Sequence, residues 1–345
     1  MSPRALRMVK WSATGALALL LLLILAGNLF GHYLLRHARD HFPAPGKLIA
    51  VGGHRLHLHC TGKGRPTVVL ESGSGGWSTQ WALVQAKVAA STRVCSYDRA
   101  GFGWSDPGKK PQDIQSSVHD LGELLARSGE DGPFVFVGWS FGGSIVWMYV
   151  QDHLDQSAGL IIVDARPSGW QTWMDRFAPE LRTKREEFVT TLRRLERAGL
   201  GPAYSWNLLR GSGRDSIKAF PTGTGDVLLD PGFQARMFDA MIGVSDTDDI
   251  SERQLRMRPL GNMPLIVIPH GREGMFGLEP DKERVAEMRW QEAQWQLTKQ
   301  STDAKFEVAE TSGHAIPLEQ PDIVVDAIQE LVTKWRAKMG GNPSF

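Results

Sequence analysis

Apolar and polar positions divide the chain into stretches of different rhythm. The first is an unbroken apolar run. From Trp11 to Leu35, "WSATGALALLLLLILAGNLFGHYLL", no side chain is charged when His32 is neutral. About 20 helical residues cross the hydrocarbon core of a bilayer, so this run is long enough to span it. Its leucines leave no polar face, which argues against a helix buried in a soluble core. Residues 36–46 then read as a polar linker carrying Pro43 and Pro45.

Beyond the linker the runs shorten and alternate. "KLIAVGG" and "HRLHLHCTG" predict a strand pair turning at Gly52 and Gly53. "PTVVLES", "TRVCSYD" and "PFVFVGW" are Val-rich and bounded by turn residues, the mark of strands buried on both faces of a parallel sheet. The helical patterns "WALVQAKVAA" and "SVHDLGELLARSG" separate them, and "IVWMYVQDHL" precedes a further strand, "GLIIVDA". Such alternation predicts a doubly wound α/β domain. It stops over residues 166–261, where patterns such as "LRTKREEFVTTLRRLERAG" predict an inserted helical cap. The sheet resumes at "PLIVIPHG", followed by a helix, the strand "KFEVAE" and a last helix opening at Pro321. The expected organisation is a basic segment 1–10, a membrane helix 11–35, the linker 36–46, a core of 47–165 and 262–338, and the cap.

Composition changes this picture little. The 345 residues are 42% hydrophobic and 22% charged, as in ordinary globular proteins. A net charge of +1 gives no footprint for nucleic acid. Cys60 and Cys95 are too few for a disulfide scaffold and lack metal-site spacing. Arg4, Arg7 and Lys10 before the apolar run favour an inside N-terminus, although Arg36 and Arg39 on its far side oppose that bias. A cleaved signal needs a shorter apolar region and a small-x-small exit, which the chain lacks around Ala26 and Gly27. A single-pass anchor is therefore preferred to a cleaved signal. The folded domain is expected outside the cytoplasm, in the periplasm for a Gram-negative source.

Candidate chemistry centres on "FVFVGWSFGGSIVW", residues 134–147. Gly138, Ser140 and Gly142 form G-x-S-x-G between a strand and a helix, the setting of a nucleophile elbow. A sharp strand-to-helix turn strains the serine backbone and crowds its flanks, where glycine fits. Serine needs a base to become a nucleophile. His314, in "AETSGHAIPLEQP" between the last strand and the last helix, stands in the right chain order. His270 at a strand end is its one rival. His57 and His59 share a strand face, but no third ligand accompanies them, and they read as solvent-facing. The acid stays open among Asp164, Glu273 and an acid such as Asp246 or Asp248. Asp164, at the end of "GLIIVDA", is preferred. Two N–H donors are needed for an oxyanion, and Phe141, after the nucleophile, and Ser74, in "ESGSGGW", are the candidates. That glycine loop fits neither nucleotide fingerprint.

"GWSFGG", "SYDRAGFGWSD", "LESGSGG" and "SGHAIPLEQP" together resemble the α/β-hydrolase superfamily from about Lys47 to Lys338. The resemblance implies a mostly parallel eight-stranded sheet flanked by helices, with a helical cap. It implies a serine hydrolase cleaving an ester-type bond through Ser140, His314 and Asp164, without metal or organic cofactor. Asp98 and Arg99 of the "DRAG" segment would be structural. Two departures stand out. Ser72-Gly73 replaces the usual His-Gly before the oxyanion donor, and Gly274 stands near the usual place of the acid, with Glu273 beside it. Family topology also sets the second and fourth strands side by side, implying a Cys60–Cys95 disulfide. The expected partners are a small acyl substrate, which the tryptophans and methionines of the cap (Trp170, Trp173, Trp206, Met237, Met241) suit if it is apolar, and the membrane. The rival readings are a non-catalytic binding module on a membrane stalk, and a lyase or acyltransferase using the same site.

Overall fold

The structure, a computed structural model, describes residues 3–109, 112–198 and 258–340, with positions 200, 224, 227, 230, 232, 233 and 240 between them. The strands are β1 (Lys47–Ala50), β2 (Arg55–Thr61), β3 (Thr67–Glu71), β4 (Val94–Tyr97), β5 (Phe134–Trp139), β6 (Ser157–Val163), β7 (Leu265–Ile268) and β8 (Ala304–Phe306). They form one sheet in the order β1-β2-β4-β3-β5-β6-β7-β8. The pairs β1/β2 and β2/β4 are antiparallel, and every later pair is parallel.

Among the described residues, the helices with defined bounds are α1 (Pro3–His41), α2 (Ala82–Val88), α3 (Ile114–Ser128), α4 (Phe141–Asp152), α5 (Trp170–Phe177), α6 (Pro179–Arg197), α7 (Pro280–Thr298), α8 (Ile316–Glu319) and α9 (Pro321–Lys338). Strand β5 shows why the Val-rich runs are buried twice over. Phe134 and Phe136 pack with Leu121 and Leu124 of α3 and Ile145 of α4. Val135 and Val137 pack with Val84 of α2 and Val324 and Ile328 of α9 on the opposite face. Each such side chain, fully buried, contributes about 1.5–3 kcal/mol. The expected mostly parallel eight-stranded sheet, flanked by helices, is the observed one.

Helix α1 is apolar and solvent-facing over most of its length, with Leu19 to Leu23 all more than half exposed. Residues Ala13–His41 are long and apolar enough to cross a membrane. The helix runs past Leu35 through Arg36–His41, and Phe42 N still bonds Ala38 O at 2.8 Å. Nothing in "RHARDH" breaks a helix, and Pro43 supplies the stop. Its last turns dock on the domain: Ala38 is buried, and Trp104 Nε1 donates to Phe42 O at 2.8 Å. Of the cap, α5 and α6 are described. Trp206, Met237, Met241, Asp246 and Asp248 lie outside the described residues. Cys60 and Cys95 face each other across β2 and β4 and are bonded as a disulfide.

Candidate active site

The turn from β5 into α4 is built by steric exclusion. Ser140 has φ 54° and ψ −120°, a left-handed conformation that costs a side chain of order 1–3 kcal/mol. A Cβ on Gly138 would lie 2.4 Å from Val146 Cγ2, and one on Gly142 would lie 2.5 Å from the carbonyl oxygens of Glu71 and Ser72. Both glycines are therefore required by space rather than by their own torsions. Ser140 N donates to Val163 O at 2.9 Å, tying the bend to β6.

Asp164 is the first residue past β6, and Asp164 N donates to Ile268 O of β7 at 2.9 Å. Its φ is 47°, and among the described residues only Ser140 and Asp164 are non-glycine residues at positive φ. Strain of this kind clusters at functional sites. His314 arrives on the loop after β8. Its Nε2 stands 3.0 Å from Ser140 Oγ, and its Nδ1 stands 2.6 Å from Asp164 Oδ2. Trp139 Nε1 donates to His314 O at 2.8 Å, and the rings of Trp139 and Trp290 lie 5.6 and 6.1 Å from the imidazole.

Ser140, Asp164 and His314 are thus brought together. Glu273 is exposed, and the carboxylate that reaches His314 belongs to Asp164. Phe141 opens α4, where a first-turn N–H has no partner within the helix. Ser74 is exposed in the loop that crosses Ser140 at Gly73, where an added Cβ would come within 3.2 Å of Ser140 Cβ. Arg99 clamps that loop from beneath. Its guanidinium donates to Ser72 O at 2.5 Å and Gly73 O at 2.6 Å, and pairs with the buried Glu71. Tyr97 also donates to Glu71. Burial still holds the Glu71 carboxyl above its usual range, against the pull of Arg99 and Tyr97.

Two sequence expectations change. His57 is not solvent-facing: it is fully buried, with Nδ1 2.9 Å from Asp98 Oδ2, because Trp104 and the 98–105 turn cover its face of β2. His270 is no rival base, because both its ring nitrogens are taken, by Asp164 Oδ2 at 2.7 Å and Glu287 Oε2 at 2.8 Å. Sequence reasoning missed Glu287 and Trp290, whose Nε1 donates to Asp164 Oδ1 at 2.7 Å. Their i, i+3 spacing on α7 was the only available hint. Burial would raise the Asp164 pKa, but the hydrogen bonds from His270 and His314 outweigh it and hold the carboxyl below its usual range.

Of the tryptophans expected in the cap, Trp170 and Trp173 pack against other rings. Trp170 sits edge-on to Trp290 at 4.9 Å, and Trp173 stacks on Phe177 at 4.5 Å.

Comparison with known proteins agrees with this fold. A family model described as "Alpha/beta hydrolase family" matches residues 56–327. "Probable transporter efuK" of Hormonema carpetanum is 26% identical over 321 residues, covering 84% of this chain and 43% of that protein. The chain therefore spans less than half the length of that relative. 2-Hydroxymuconate semialdehyde hydrolase of Pseudomonas sp. (strain CF600) is 33% identical over 135 residues, 37% of this chain and 46% of that protein. A thermophilic esterase of Thermogutta terrifontis shares the fold at a TM-score of 0.53 and 22% identity, over 84% of this chain and 97% of its own. With the match running through the sheet, the elbow and the His314 loop, the chain belongs to the alpha/beta hydrolase family.

Proposed function

We propose that the chain is a membrane-anchored serine hydrolase that cleaves an ester-type acyl bond. One observation carries the reading: a single imidazole lies 3.0 Å from the Ser140 hydroxyl and 2.6 Å from a buried carboxylate. In this reading Ser140 Oγ attacks the acyl carbon while His314 Nε2 takes its proton. The oxyanion is held by the backbone N–H groups of Phe141 and Ser74. The bond to the leaving oxygen then breaks, and His314 returns the proton to it. A water, deprotonated by His314, attacks the acyl-enzyme, and the acid departs as Ser140 regains its proton. Asp164 keeps Nδ1 protonated and stabilises the imidazolium throughout.

Helix α1 supplies the anchor, which places the hydrolase domain at a membrane surface, on the extracytoplasmic side by the charge bias of its flanks. The substrate is a small acyl ester, with the rings of Trp139 and Trp290 beside the base as an apolar wall.

The test is labelling with a fluorophosphonate and hydrolysis of acyl esters of graded chain length. Ser140→Ala abolishes labelling and lowers turnover by at least about 10³-fold. Labelling that survives the substitution refutes Ser140 as nucleophile, and an active-site serine that labels but releases no acid points instead to an acyltransferase.

A further inference from the structure

Asp164 serves more than His314. His270 is 1% exposed and lies between two carboxylates, with Nδ1 2.7 Å from Asp164 Oδ2 and Nε2 2.8 Å from Glu287 Oε2. An ionised carboxylate can only accept, so both ring nitrogens must donate and the ring is an imidazolium. Glu287 is itself fixed. Its Oε1 accepts the N–H groups of Gly274 and Met275, each at 3.1 Å. On the other side, Asp164 Oδ1 accepts Trp290 Nε1 at 2.7 Å and His270 N at 3.3 Å. The chain of contacts runs Ser140, His314, Asp164, His270, Glu287 without a gap.

We infer that His270 and Glu287 form a positioning unit for the Ser140–His314–Asp164 assembly: His270, as a buried cation, holds Asp164 in the rotamer and charge state that His314 requires, and Glu287 holds His270. The inference rests on the hydrolase reading above. Three physical facts support it. His270 Nδ1 and His314 Nδ1 meet the same Asp164 Oδ2 at 2.7 and 2.6 Å, so His270 shares in fixing the direction of that carboxylate. A buried carboxylate without a cation tends to protonate, and a protonated Asp164 would lose its hold on the imidazolium formed at His314. Burial alone would lower the proton affinity of His270, but its bonds to Asp164 and Glu287 prevail and raise its pKa to about 10. The unit has a charge sum of −1 beside His314, the same as one lone carboxylate. Among the described residues, the charged groups near it include Glu273, Glu292 and Glu310, which line the cavity behind His270 and Glu287 together with Trp295 and Phe306, and the Arg272–Glu319 pair, whose Glu319 accepts the N–H of Gly313 beside His314.

The test uses the full chain in detergent micelles, with kcat and KM for an acyl ester followed across pH. His270→Gln lowers kcat/KM by about 10- to 10²-fold, nearly all in kcat, with KM within about 2-fold. It also moves the acid limb of the kcat/KM profile to higher pH, because two uncompensated carboxylates then favour a proton on the base. His270→Gln/Glu287→Gln, which removes one cation and one anion, brings the limb back toward its original place. Wild-type kcat/KM and an unmoved limb in His270→Gln overturn the inference. So does lost activity that tracks lost folded protein while the limb stays put, which is the signature of a structural ion pair alone. Should His270→Gln fail to fold, ¹⁵N spectra of the wild-type histidine rings decide. A ring still doubly protonated at pH 9 is expected, and its absence refutes the buried cation. Failure of the underlying hydrolase reading is distinguishable, because Ser140→Ala would then keep its turnover whatever His270 does.

Discussion

Asp98 and Asp164 each stand one residue beyond a strand of the same sheet, buried, and each holds the Nδ1 of a histidine. His57 lies 2.9 Å from Asp98, and His314 lies 2.6 Å from Asp164. Burial would raise the Asp98 pKa, yet the charge and hydrogen bond of His57 and the N–H of Ser78 hold it below the usual range, as the histidines hold Asp164. The difference lies on the far nitrogen. His57 Nε2 is sealed in and meets no hydrogen-bond partner among the described residues. His314 Nε2 meets a serine hydroxyl, and its side chain is 28% exposed. Asp98 also accepts the N–H groups of Ser78 and Trp104, which stitches the 98–105 turn back to the start of the short helical turn Ser78–Trp81. An aspartate–histidine pair is thus a building element. Chemistry requires a nucleophile on the open side and a path for substrate to reach it.

The largest expected effect separates the two aspartates by function. Asp164→Asn leaves His314 in the wrong tautomer and lowers kcat by about 10³- to 10⁴-fold in ester hydrolysis. Glu273→Gln, exposed and out of reach, keeps kcat within about 2-fold. If Asp164→Asn turned over normally, the contrast with Asp98 would vanish.

A smaller effect runs the other way. Asp98→Asn weakens a buried hydrogen-bonded cluster and costs about 1–3 kcal/mol of stability, read as a lower Tm. Because Asp98 touches neither Ser140 nor His314, kcat of the folded enzyme stays within about 3-fold. A kcat loss rivalling that of Asp164→Asn would show that the 98–105 turn acts on the site, through Arg99 and the loop at Gly73.

The parts of this contrast that the sequence makes legible are those encoded in local pattern. "FVFVGWSFGG" carries a doubly buried strand, a glycine-flanked bend and a helix start in one stretch, so Ser140 could be read from it directly. Chain order pointed to His314, while a strand-end position fitted both Asp164 and Glu273 and left Asp164 only the preferred acid. What local pattern does not encode is which far element closes over a strand. Alternation puts His57 on one face of β2, but the cover comes from Trp104, so a face that reads as wet is dry. Glu287 looks like any acid of α7, beside Asp281, Glu283 and Glu292, until packing turns it onto His270. The linker was misjudged for a related reason: Arg36–His41 is polar yet has no helix breaker before Pro43, so α1 simply continues. For His57 and Glu287 tertiary contact decides what polarity alone does not show, and for Arg36–His41 the absence of a helix breaker does.

The smallest effect sharpens the comparison through pH. His270, raised to about 10, contributes stability that is complete below its unfolded pKa of about 6.5 and fades as pH climbs through 10. Asp164, Glu287 and Asp98 are all lowered, so their contributions are complete above about pH 4 and fade only on acidification. Both aspartate clusters should therefore lose stability in acid, and the Asp164 cluster adds a loss in alkali through His270. Tm of the wild-type chain falls between about pH 6.5 and 10 more steeply than that of His270→Gln, by a few degrees at about 2–4 °C per kcal/mol. Groups titrating elsewhere affect both proteins equally and cancel in the difference. Parallel Tm curves for the two proteins over that window would mean that no cation is buried between Asp164 and Glu287, and that His270 sits there as a neutral ring.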